Sequence, residues 1–273
     1  MTNQTGKVAI VTGASSGIGG ATAEALARAG YTVFGTSRKP GRNGPRQVTM
    51  MECDVTDDAS AQKLIADVTA NTGRIDLLVN NAGLGHIGAA EESSVEQAKA
   101  LFEVNFFGVM RMTNAALPWL RKNGSGRVVN ISSVLGFLPA PFAAYYSASK
   151  HAVEGYSESL DHESRTFGVR VVLIEPAFTK TAFDQSSLKP DRALPLYDKG
   201  RSGAEQLNRK AMLIGDDPSV VADAVILAAT ATRPLRRYTA GKQAKQVAFA
   251  RRFVPAGMFD KNLRKQFGLP AVS

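Results

Sequence analysis

The sequence predicts an α/β fold built on a doubly wound parallel sheet. Apolar segments rich in β-branched residues alternate with segments of helical periodicity along most of the 273-residue chain. The strand-like segments are apolar on both faces, which is typical of parallel strands that helices cover on each side. Because ligands of such sheets bind at the carboxyl ends of the strands, we expect the functional residues directly after the predicted strands.

The predicted elements follow each other in a regular order. Strands are predicted at residues 7–13, 31–37, 47–55, 75–83, 126–133, 168–176 and 236–241. Between them, apolar residues recur at three- and four-residue intervals, which indicates helices. These predicted helices span residues 21–30, 57–73, 95–120 and 147–166. The alternation indicates crossover connections into a single sheet.

The composition favours one domain in a reducing compartment. No linker or internal repeat interrupts the chain, and 44% of its residues are hydrophobic. We expect a main unit at residues 1–241 and a short, basic, helical C-terminal extension of the same domain at 242–273. The first apolar run begins at Lys7, too early for a signal peptide, and no later run is long enough to span a bilayer. A single cysteine, Cys53, excludes an internal disulfide, so a cytoplasmic location is predicted.

The net charge of +9 is confined to the C-terminal part of the chain. Residues 1–232 contain equal numbers of basic and acidic residues, whereas residues 233–273 contain ten basic residues and only Asp260 as an acid. Because the charge is not spread over the chain, we expect no nucleic-acid partner.

The basic C-terminal segment also contains four phenylalanines, Phe249, Phe253, Phe259 and Phe267. Their spacing allows one apolar helix face while the arginines and lysines stay in water. Two interpretations remain open. The segment is either a helical cap with a solvated basic face, or a wall of the ligand cleft whose basic face contacts anionic lipid or an acidic partner.

The stretch "TGASSGIG" after the first predicted strand has the composition of a phosphate-binding loop. Its glycines let the backbone approach a pyrophosphate, and the amino terminus of the following helix presents free N–H groups. An ordinary tight turn is the alternative, but the strand before and the helix after favour a dinucleotide site. The predicted phosphate-binding residues are Gly13, Ser15, Ser16, Gly17, Ile18 and Gly19.

The end of the second predicted strand indicates which dinucleotide binds. An acidic residue there would bind the adenosine ribose of NAD and repel a 2′-phosphate. The sequence instead has Ser37 followed by Arg38, with Lys39 and Arg42 nearby. An arginine suits a phosphate, so NADP(H) is predicted, with NAD(H) as the alternative. A solvated basic loop is the other interpretation.

Several short motifs, in order and at characteristic spacings, resemble the short-chain dehydrogenase/reductase family. They are "TGASSGIG", "DV" at 54–55, "NNAG" at 80–83, Asn105, "NISS" at 130–133 and "YSASK" at 146–150. The resemblance covers Lys7 to Thr181 and implies a Rossmann-like dinucleotide-binding catalytic domain. The phrases "VFGTSRKP", "LFEVNFFG", "LPWLRKNGSGRVVNISS" and "IEPAFTKTAF" resemble most the branch of 17β-hydroxysteroid dehydrogenases.

The resemblance assigns further cofactor contacts to positions of this chain. Asp54 and Val55 would contact the adenine, and Asn81, Ala82 and Gly83 would line the adenosine ribose. Thr181 would contact the nicotinamide carboxamide after Pro176. Ala177 stands where the family usually has glycine, which leaves the backbone path before Thr181 open.

The stretch "AAYYSASK" contains two adjacent tyrosines and one lysine. On an α-helix, residues four apart share a face and residues five apart do not, so Tyr146 is predicted beside Lys150 while Tyr145 points elsewhere. By the family resemblance, Tyr146 and Lys150 would also contact the nicotinamide cofactor. A nearby ammonium would lower the pKa of a tyrosine by about two units and make it an acid/base near neutral pH.

Two further residues complete the predicted catalytic set. Ser133 ends a strand thirteen residues before Tyr146 and matches the serine of the family, so the resemblance implies that it hydrogen-bonds the substrate oxygen. Ser132 would point to the other side of the strand. A pair of simple turn residues is the alternative for these serines. Asn105 is a poor helix former within an apolar helix, and in the family this residue marks a kink that holds a proton-relaying water.

The sequence therefore predicts an NADP(H)-dependent oxidoreductase that interconverts an apolar or bulky, steroid-like secondary alcohol and its ketone. A 3-ketoacyl reductase of fatty-acid type shares all these motifs, although such chains usually end soon after the last strand. A non-catalytic dinucleotide-binding regulator is the third reading. The three histidines are too dispersed for a metal site, so no metal is expected and core or surface roles are predicted for them, with a position bordering the substrate cleft as the alternative for His86. By resemblance, a homodimer or homotetramer forms through the long helices of Asn105 and Tyr146.

Overall fold

The protein folds around a seven-stranded parallel sheet in the order β3-β2-β1-β4-β5-β6-β7. This computed structural model describes residues 6–41 and 44–270. The strands are β1 Val8–Val11, β2 Thr32–Ser37, β3 Val48–Glu52, β4 Leu77–Asn80, β5 Arg127–Ile131, β6 Arg170–Pro176 and β7 Arg237–Ala240. The strand order reverses between β1 and β4, which is where ligands of such sheets bind. The predicted α/β class and the single Rossmann-like domain are confirmed.

The helices cover both faces of the sheet. They are α1 Gly17–Arg28, α2 Asp58–Thr72, α3 Val95–Phe102, α4 Gly108–Lys122, α5 Ala144–Ser164, α6 Asp198–Leu213, α7 Pro218–Thr230, α8 Gly241–Phe253 and α9 Ala256–Gln266. Successive side chains of β1 point to opposite faces. Ile10 joins a core with Leu64 of α2 and Met112 of α4, whereas Val11 joins a core with Leu26 of α1.

The predicted helix at 95–120 is not continuous. A π-helical turn at Glu103–Phe107 separates α3 from α4, so the expectation of one helix is wrong in its middle. A π-turn adds a residue to one helical turn and frequently accompanies functional residues. Asn105 lies in this turn and is buried.

Buried amides hold the centre of the sheet in register. Asn80 on β4 donates hydrogen bonds of 3.1 Å to Thr113 and 2.8 Å to the Asn130 side-chain oxygen on β5. Asn130 in turn donates 2.8 Å to Ser157 of α5. Because unpaired polar groups are costly in a core, these bonds fix α4 and α5 against the strands that end at the site.

The C-terminal helices follow the last strand directly. β7 ends at Ala240, and α8 begins at Gly241, whose φ is 88°. The inner side of α8 buries Ala244, while α9 buries no residue completely. Within residues 6–41 and 44–270, no helix has the length and apolar character needed to cross a membrane.

Candidate active site

The loop after β1 has the geometry of a phosphate cradle. Gly13 and Gly17 have φ angles of 64° and 57°, a left-handed conformation that side chains disfavour. A Cβ on Gly19 would lie 2.2 Å from the Gly13 carbonyl oxygen, so only glycine fits there. Ser16 caps α1 without a side-chain hydrogen bond. The first N–H groups of α1, including that of Ile18, are therefore open to an anion, and the loop fits a pyrophosphate.

A cavity of about 610 Å³ opens beside this loop. Ser15, Ser16 and Gly17 line one side of the cavity, and Lys180 and Thr181 line another. A Cβ on Gly17 would come within 3.2 Å of the Thr181 side chain. The segment after β6 therefore lies against the phosphate loop, although the two are far apart in sequence.

The backbone before Thr181 accepts Ala177 without strain. Among the described residues other than glycine, only Gln47 and Phe142 have a positive φ. Pro176 ends β6, and the chain continues through Ala177 in a conformation open to any residue. The departure from the family's glycine therefore leaves Thr181 in place beside the loop.

The residues expected at the adenosine end lie together at the tips of β2 and β3. Ser37 ends β2, and its carbonyl oxygen accepts a 3.1 Å hydrogen bond from the residue before Asp54. Hydrogen bonds from Thr56, followed by the charge of Arg38, hold the pKa of the Asp54 carboxyl below its usual range. Arg38 is exposed and Val55 is buried beneath the tip. A cation and a carboxylate thus border the same end of the site.

The residues after β4 tie two loops of the site together. Thr12 Oγ1 accepts hydrogen bonds from the Asn81 and Ala82 N–H groups at 2.9 and 3.0 Å. The Asn81 side-chain nitrogen donates to the carbonyl oxygens of Thr12 and Gly13 at 2.9 and 3.1 Å. Asn81 therefore shapes the phosphate loop with its amide nitrogen, a contact that sequence reasoning missed.

Only one of the adjacent tyrosines on α5 faces Lys150. The Lys150 Nζ lies 5.7 Å from the centre of the Tyr146 ring. The Tyr145 hydroxyl donates a 2.8 Å hydrogen bond to the Ala90 carbonyl oxygen, and its ring packs edge-on against His86 at 5.5 Å. Tyr145 therefore belongs to a separate cluster of contacts.

His86 is a core residue in this structure. It is buried, and its Nε2 lies 2.8 Å from the Ser93 hydroxyl. Burial lowers the pKa of the imidazole, which keeps it neutral near pH 7. Within the parts of the chain that the structure describes, no three His, Cys, Asp or Glu side chains are grouped to hold a metal ion.

Ser133, Tyr146 and Lys150 meet at the carboxyl end of β5. Ser133 Oγ accepts a 3.1 Å hydrogen bond from the Leu135 N–H, and the Ser133 hydroxyl opposes the rise in the pKa of Tyr146. Lys150 is buried, and its Nζ donates 2.9 Å to the Ile131 carbonyl oxygen. The serine accepts from the backbone, so its own hydrogen is available to the tyrosine or to a bound oxygen.

Burial shifts the pKa values of Tyr146 and Lys150 toward their neutral forms. Burial raises the pKa of Tyr146 to about 12, against the smaller opposing effect of the Ser133 hydrogen bond. Burial also lowers the pKa of Lys150 to about 8, while the charge of Glu154 raises it. The pKa of Tyr146 is therefore raised rather than lowered as expected, because burial removes the hydration of the phenolate. Near pH 7, Tyr146 is a neutral phenol that holds its proton.

Asn105 links the π-turn to the loop after β4 and to α5. Its Oδ1 accepts 2.8 Å from the Leu84 N–H, and its Nδ2 donates to the Leu84 carbonyl and the Ser149 hydroxyl at 2.9 and 3.1 Å. A Cβ on Gly83 would lie 3.3 Å from Asn105 Oδ1 and 4.0 Å from Lys150 Nζ. Asn105 and Lys150 therefore share one polar pocket, and a relaying water there stays a prediction.

A buried ion pair fixes the segment between Thr181 and α7, part of which lies beside Tyr146. Glu92 is fully buried, accepts 2.9 Å from the Leu194 N–H and pairs with Arg201 of α6. The Phe183 ring in the same segment lies 6.1 Å from the Tyr146 ring. The segment thus brings an apolar ring beside the tyrosine, which sequence reasoning did not predict.

Comparisons with known proteins decide the family. Residues 7–192 match the family described as short chain dehydrogenase. The chain belongs to the short-chain dehydrogenase/reductase family. It is 36% identical over 279 residues to the uncharacterized oxidoreductase YusZ of Bacillus subtilis, covering 95% of this chain and 98% of that protein. It is 43% identical over 177 residues to a 3-ketodihydrosphingosine reductase of Bacteroides thetaiotaomicron, and this alignment covers 65% of each, just under two thirds.

Solved structures share the fold of this short-chain dehydrogenase over nearly its whole length. A short-chain dehydrogenase from Streptomyces avermitilis has a TM-score of 0.81 and 35% identity, covering 97% of this chain and 96% of that chain. A short-chain dehydrogenase/reductase from Burkholderia phymatum in complex with NAD has a TM-score of 0.80 and 27% identity, covering 100% of this chain and 99% of that chain. A short-chain dehydrogenase from Burkholderia cenocepacia in complex with NADP has a TM-score of 0.75 and 26% identity, covering 95% of this chain and 99% of that chain. These neighbours support a nicotinamide dinucleotide cofactor.

The sequence did not predict a charged cluster that lies next to Lys150 in the structure. Arg237 on β7 pairs with Glu154 and Glu158 of α5 and with Glu175 of β6 at 2.8, 3.1 and 3.1 Å. Burial raises the pKa of Glu154, and burial together with the Glu154 charge raises the pKa of Glu175 to about 7. Because Glu154 follows Lys150 by one helical turn, this cluster acts on the charge of the lysine.

Proposed function

We propose that this chain interconverts a secondary alcohol and a ketone with NADP(H), using Tyr146 as the acid/base. The observation that carries the proposal is the meeting of Ser133, Tyr146 and Lys150 at the end of β5. The glycine cradle for a dinucleotide lies at the carboxyl end of β1, which β4 separates from β5 in the sheet. A proton donor, an oxygen-binding hydroxyl and a cation thus stand next to a cofactor site.

Each member of the trio has a distinct task in ketone reduction. The cofactor, when bound, supplies the hydride that reaches the carbonyl carbon. Ser133 hydrogen-bonds the carbonyl oxygen, a contribution on the order of 10² in rate. Tyr146 then donates its proton to that oxygen, and the Lys150 ammonium stabilises the phenolate that remains. A water held near Asn105 would return a proton to this pair.

The raised pKa of Tyr146 supports the reductive direction. A phenol with a pKa of about 12 is fully protonated near pH 7, so the group holds the proton that ketone reduction consumes. Alcohol oxidation needs the phenolate first, which burial disfavours. We therefore propose ketone reduction as the faster direction near neutral pH, with alcohol oxidation gaining at higher pH.

The tip of β2 supports a preference for NADP(H) over NAD(H). Ser37 and the exposed Arg38 offer a hydroxyl and a guanidinium to a 2′-phosphate, and Lys39 is exposed beside them. Arg42, expected in the same basic loop, lies outside the described residues. NAD(H) is the alternative, since both cofactors occur in similar solved structures.

The substrate side supports an apolar or bulky ketone, including the steroid-like class of the 17β-hydroxysteroid dehydrogenase branch. Phe183 lies beside Tyr146, and α8 contacts the turn after Ser133 through Arg251, whose Nε donates 3.3 Å to the Phe137 carbonyl. The relative named 3-ketodihydrosphingosine reductase adds a long-chain ketone to the candidates. We propose residues 1–241 as the dinucleotide-binding catalytic domain and 242–273 as its extension beside the cleft.

A substrate panel with NADPH and with NADH tests the proposal. The panel contains steroid, retinoid and aromatic ketones, a long-chain 3-keto amino alcohol and 3-ketoacyl thioesters. We expect the highest kcat/KM with NADPH and an apolar ketone. A preference for the acyl thioester would instead establish a 3-ketoacyl reductase. Cofactor binding without turnover of any compound would indicate a non-catalytic regulator.

We also propose a homodimer or homotetramer in the cytoplasm. The π-turn leads directly into α4, α5 carries Tyr146, and Phe107 at the end of the π-turn is 43% exposed. Apolar side chains exposed on a long helix suit a contact between copies. Light scattering of the purified chain is expected to give two or four copies, and a monomer would overturn this assignment.

A further inference from the structure

The outward face of α8 combines exposed aromatic rings with cations. Phe249 and Phe253 are 65% and 62% exposed, and their rings lie 4.7 Å apart. At the α-helical rotation of about 100° per residue, six side chains fall within about 60° of the Phe249 direction, away from the buried Ala244. One of the six is Gln246. The other five are aromatic or cationic and are here called the α8 face: Lys242, Lys245, Phe249, Arg252 and Phe253.

The cations of the C-terminal helices have no acidic partners in the described structure. Residues 241–270 contain seven cations and only Asp260 as an acid. None of the seven forms an ion pair with an acidic side chain that the structure describes, which covers residues 6–41, 44–183 and 186–270, whereas Arg170, Arg201 and Arg237 each pair with a buried carboxylate. The seven cations are Lys242, Lys245, Arg251, Arg252, Lys261, Arg264 and Lys265.

We propose that the α8 face docks the protein on an anionic phospholipid bilayer. Aromatic rings flanked by lysine and arginine are the chemistry of a helix that lies in a membrane interface. The rings enter the boundary between head groups and acyl chains, and the cations contact the anionic head groups. A large exposed aromatic pair on a helix is otherwise an unfavourable use of surface.

The chemistry of the face disfavours other occupants. A second copy of the chain would bring two sets of like charges together, because the face contains no acid. Single-stranded nucleic acid binds by stacking bases on separate aromatic rings. The rings of Phe249 and Phe253 instead contact each other, and Arg252 lies over the Phe253 ring at 5.5 Å. A continuous apolar surface rimmed by charge remains, which suits lipid.

The opposite side of α8 adjoins the candidate active site. Arg251 lies on the Ala244 side of α8, donates a 3.3 Å hydrogen bond to the Phe137 carbonyl and lies 5.5 Å over the Phe259 ring of α9. Phe137 closes the short turn that Ser133 begins. Docking through the α8 face would therefore place the cleft near the bilayer, from which an apolar ketone could enter. That consequence rests on the proposed function, whereas the docking itself does not.

Co-sedimentation of the full chain with lipid vesicles tests the proposal without cofactor or substrate. One set of vesicles contains phosphatidylcholine with phosphatidylserine, and the other contains phosphatidylcholine alone. We expect binding only to the anionic vesicles, with a loss at high salt. The triple variant Lys242→Gln, Lys245→Gln, Arg252→Gln is expected to lose about 100-fold in affinity, since each cation near such a surface contributes about fivefold.

A pair of aromatic variants separates apolar insertion from simple charge attraction. Phe249→Ser with Phe253→Ser is expected to lose on the order of 10-fold in affinity for the anionic vesicles. The matched control is Phe167→Ser, which removes a ring that is 54% exposed beneath Arg121 on another surface. The control is expected to bind like the unmodified chain. The charge variant, the aromatic variant and the control should each keep the melting temperature of the unmodified chain and its turnover of a water-soluble ketone.

Three results would overturn the docking proposal. They are no binding to anionic vesicles, equal binding to both vesicle types, and unchanged binding by the charge and aromatic variants. Retention by an acidic polypeptide or by single-stranded nucleic acid without vesicle binding would also overturn it. None of these results bears on ketone reduction, so failure of the docking proposal and failure of the proposed function are distinguishable.

Discussion

The two sides of Tyr146 are built from different interactions. On the cofactor side, neutral groups hold the loops: Thr12, Asn81 and Asn105 bond backbone N–H and carbonyl groups at 2.8 to 3.1 Å. Elsewhere around Tyr146, charges hold the elements: Arg201 pairs with Glu92 beside the Phe183 segment, and Arg237 pairs with Glu175 in the cluster next to Lys150. The loops held by neutral groups are here called the neutral half of the site, and the elements held by ion pairs are called the ionic half.

This difference separates the conditions to which each half responds. Hydrogen bonds between neutral groups do not change with pH across the physiological range, so the cradle depends on shape. Buried carboxyl groups titrate when their pKa values are shifted, so the ionic half depends on pH. Variants of the two halves are therefore expected to differ in kind as well as in size.

The largest expected effect is a steric one in the neutral half. Gly19→Ala would place a Cβ 2.2 Å from the Gly13 carbonyl oxygen. The loop must shift, and we expect cofactor affinity to fall by at least about 100-fold at every pH. Gly20→Ala is the matched control, because its Cβ would lie 3.4 Å from the nearest atom. Fluorescence titration with NADPH measures the affinity of both variants. Equal affinities would show that cofactor binding does not depend on the close approach of the backbone at Gly19.

The next effect concerns stability in the ionic half. Glu175 has a pKa of about 7 in the folded chain against 4.5 as its ordinary value. It therefore takes up a proton on folding between these values, and the protein loses stability as the pH rises through this window. Glu175→Gln is expected to raise the free energy of unfolding by about 1–3 kcal/mol at pH 8 and to leave it unchanged near pH 4.

Urea unfolding at both pH values measures this difference, with Glu158→Gln as the control. Glu158 binds the same Arg237 but is 38% exposed, so its replacement is expected to change stability little at either pH. If Glu175→Gln destabilises the protein at pH 8, the ion pair with Arg237 outweighs the cost of burial.

A smaller effect is expected where the cofactor side does carry charge. Ser37→Asp with Arg38→Leu removes a cation and adds a carboxylate at the tip of β2. We expect the ratio of kcat/KM for NADPH over NADH to fall by about 10- to 100-fold, because a carboxylate repels the 2′-phosphate. Ser37→Ala is the control for loss of the hydroxyl alone. An unmodified protein without cofactor preference would remove the basis of the prediction.

The smallest expected effect concerns the influence of the Glu154 charge on Lys150, which connects the ionic half to the catalytic residues Ser133, Tyr146 and Lys150. The charge of Glu154 raises the pKa of Lys150 against burial, which lowers it to about 8. Glu154→Gln is therefore expected to move the alkaline limb of kcat/KM to lower pH, with a loss of about three- to tenfold at pH 8. Glu158→Gln is again the control. An identical pH profile in both variants would mean that the cluster only supports the fold.

The sequence was sufficient for the sheet, because periodicity and β-branched composition are local properties. The seven predicted strands and the crossover helices all occur. The π-turn at Glu103–Phe107 was not predicted as such, because Asn105 indicated a local irregularity but not its geometry. The segment between Thr181 and α7 received no prediction, since its position depends on Glu92 and Arg201, more than a hundred residues apart.

The candidate site was predictable where spacing within one element decides it. A spacing of four residues on α5 places Tyr146 beside Lys150, whereas Tyr145, five residues before the lysine, packs against His86. The pKa of Tyr146 was not predictable, because it depends on the hydration that the surrounding segments remove. The partners of Arg237 were equally hidden, since Glu158 and Glu175 lie 79 and 62 residues away.

Single-turnover reduction of the best ketone of the panel tests the central claim most directly. Enzyme saturated with NADPH is mixed with the ketone, and loss of nicotinamide absorbance is followed for the unmodified chain, Tyr146→Phe and Tyr145→Phe. We predict a rate lower by about 10³-fold or more for Tyr146→Phe with nearly unchanged NADPH affinity, and a rate within about threefold for Tyr145→Phe. Equal rates for the two variants, or the reverse ranking, would contradict the assignment of Tyr146 as the proton donor.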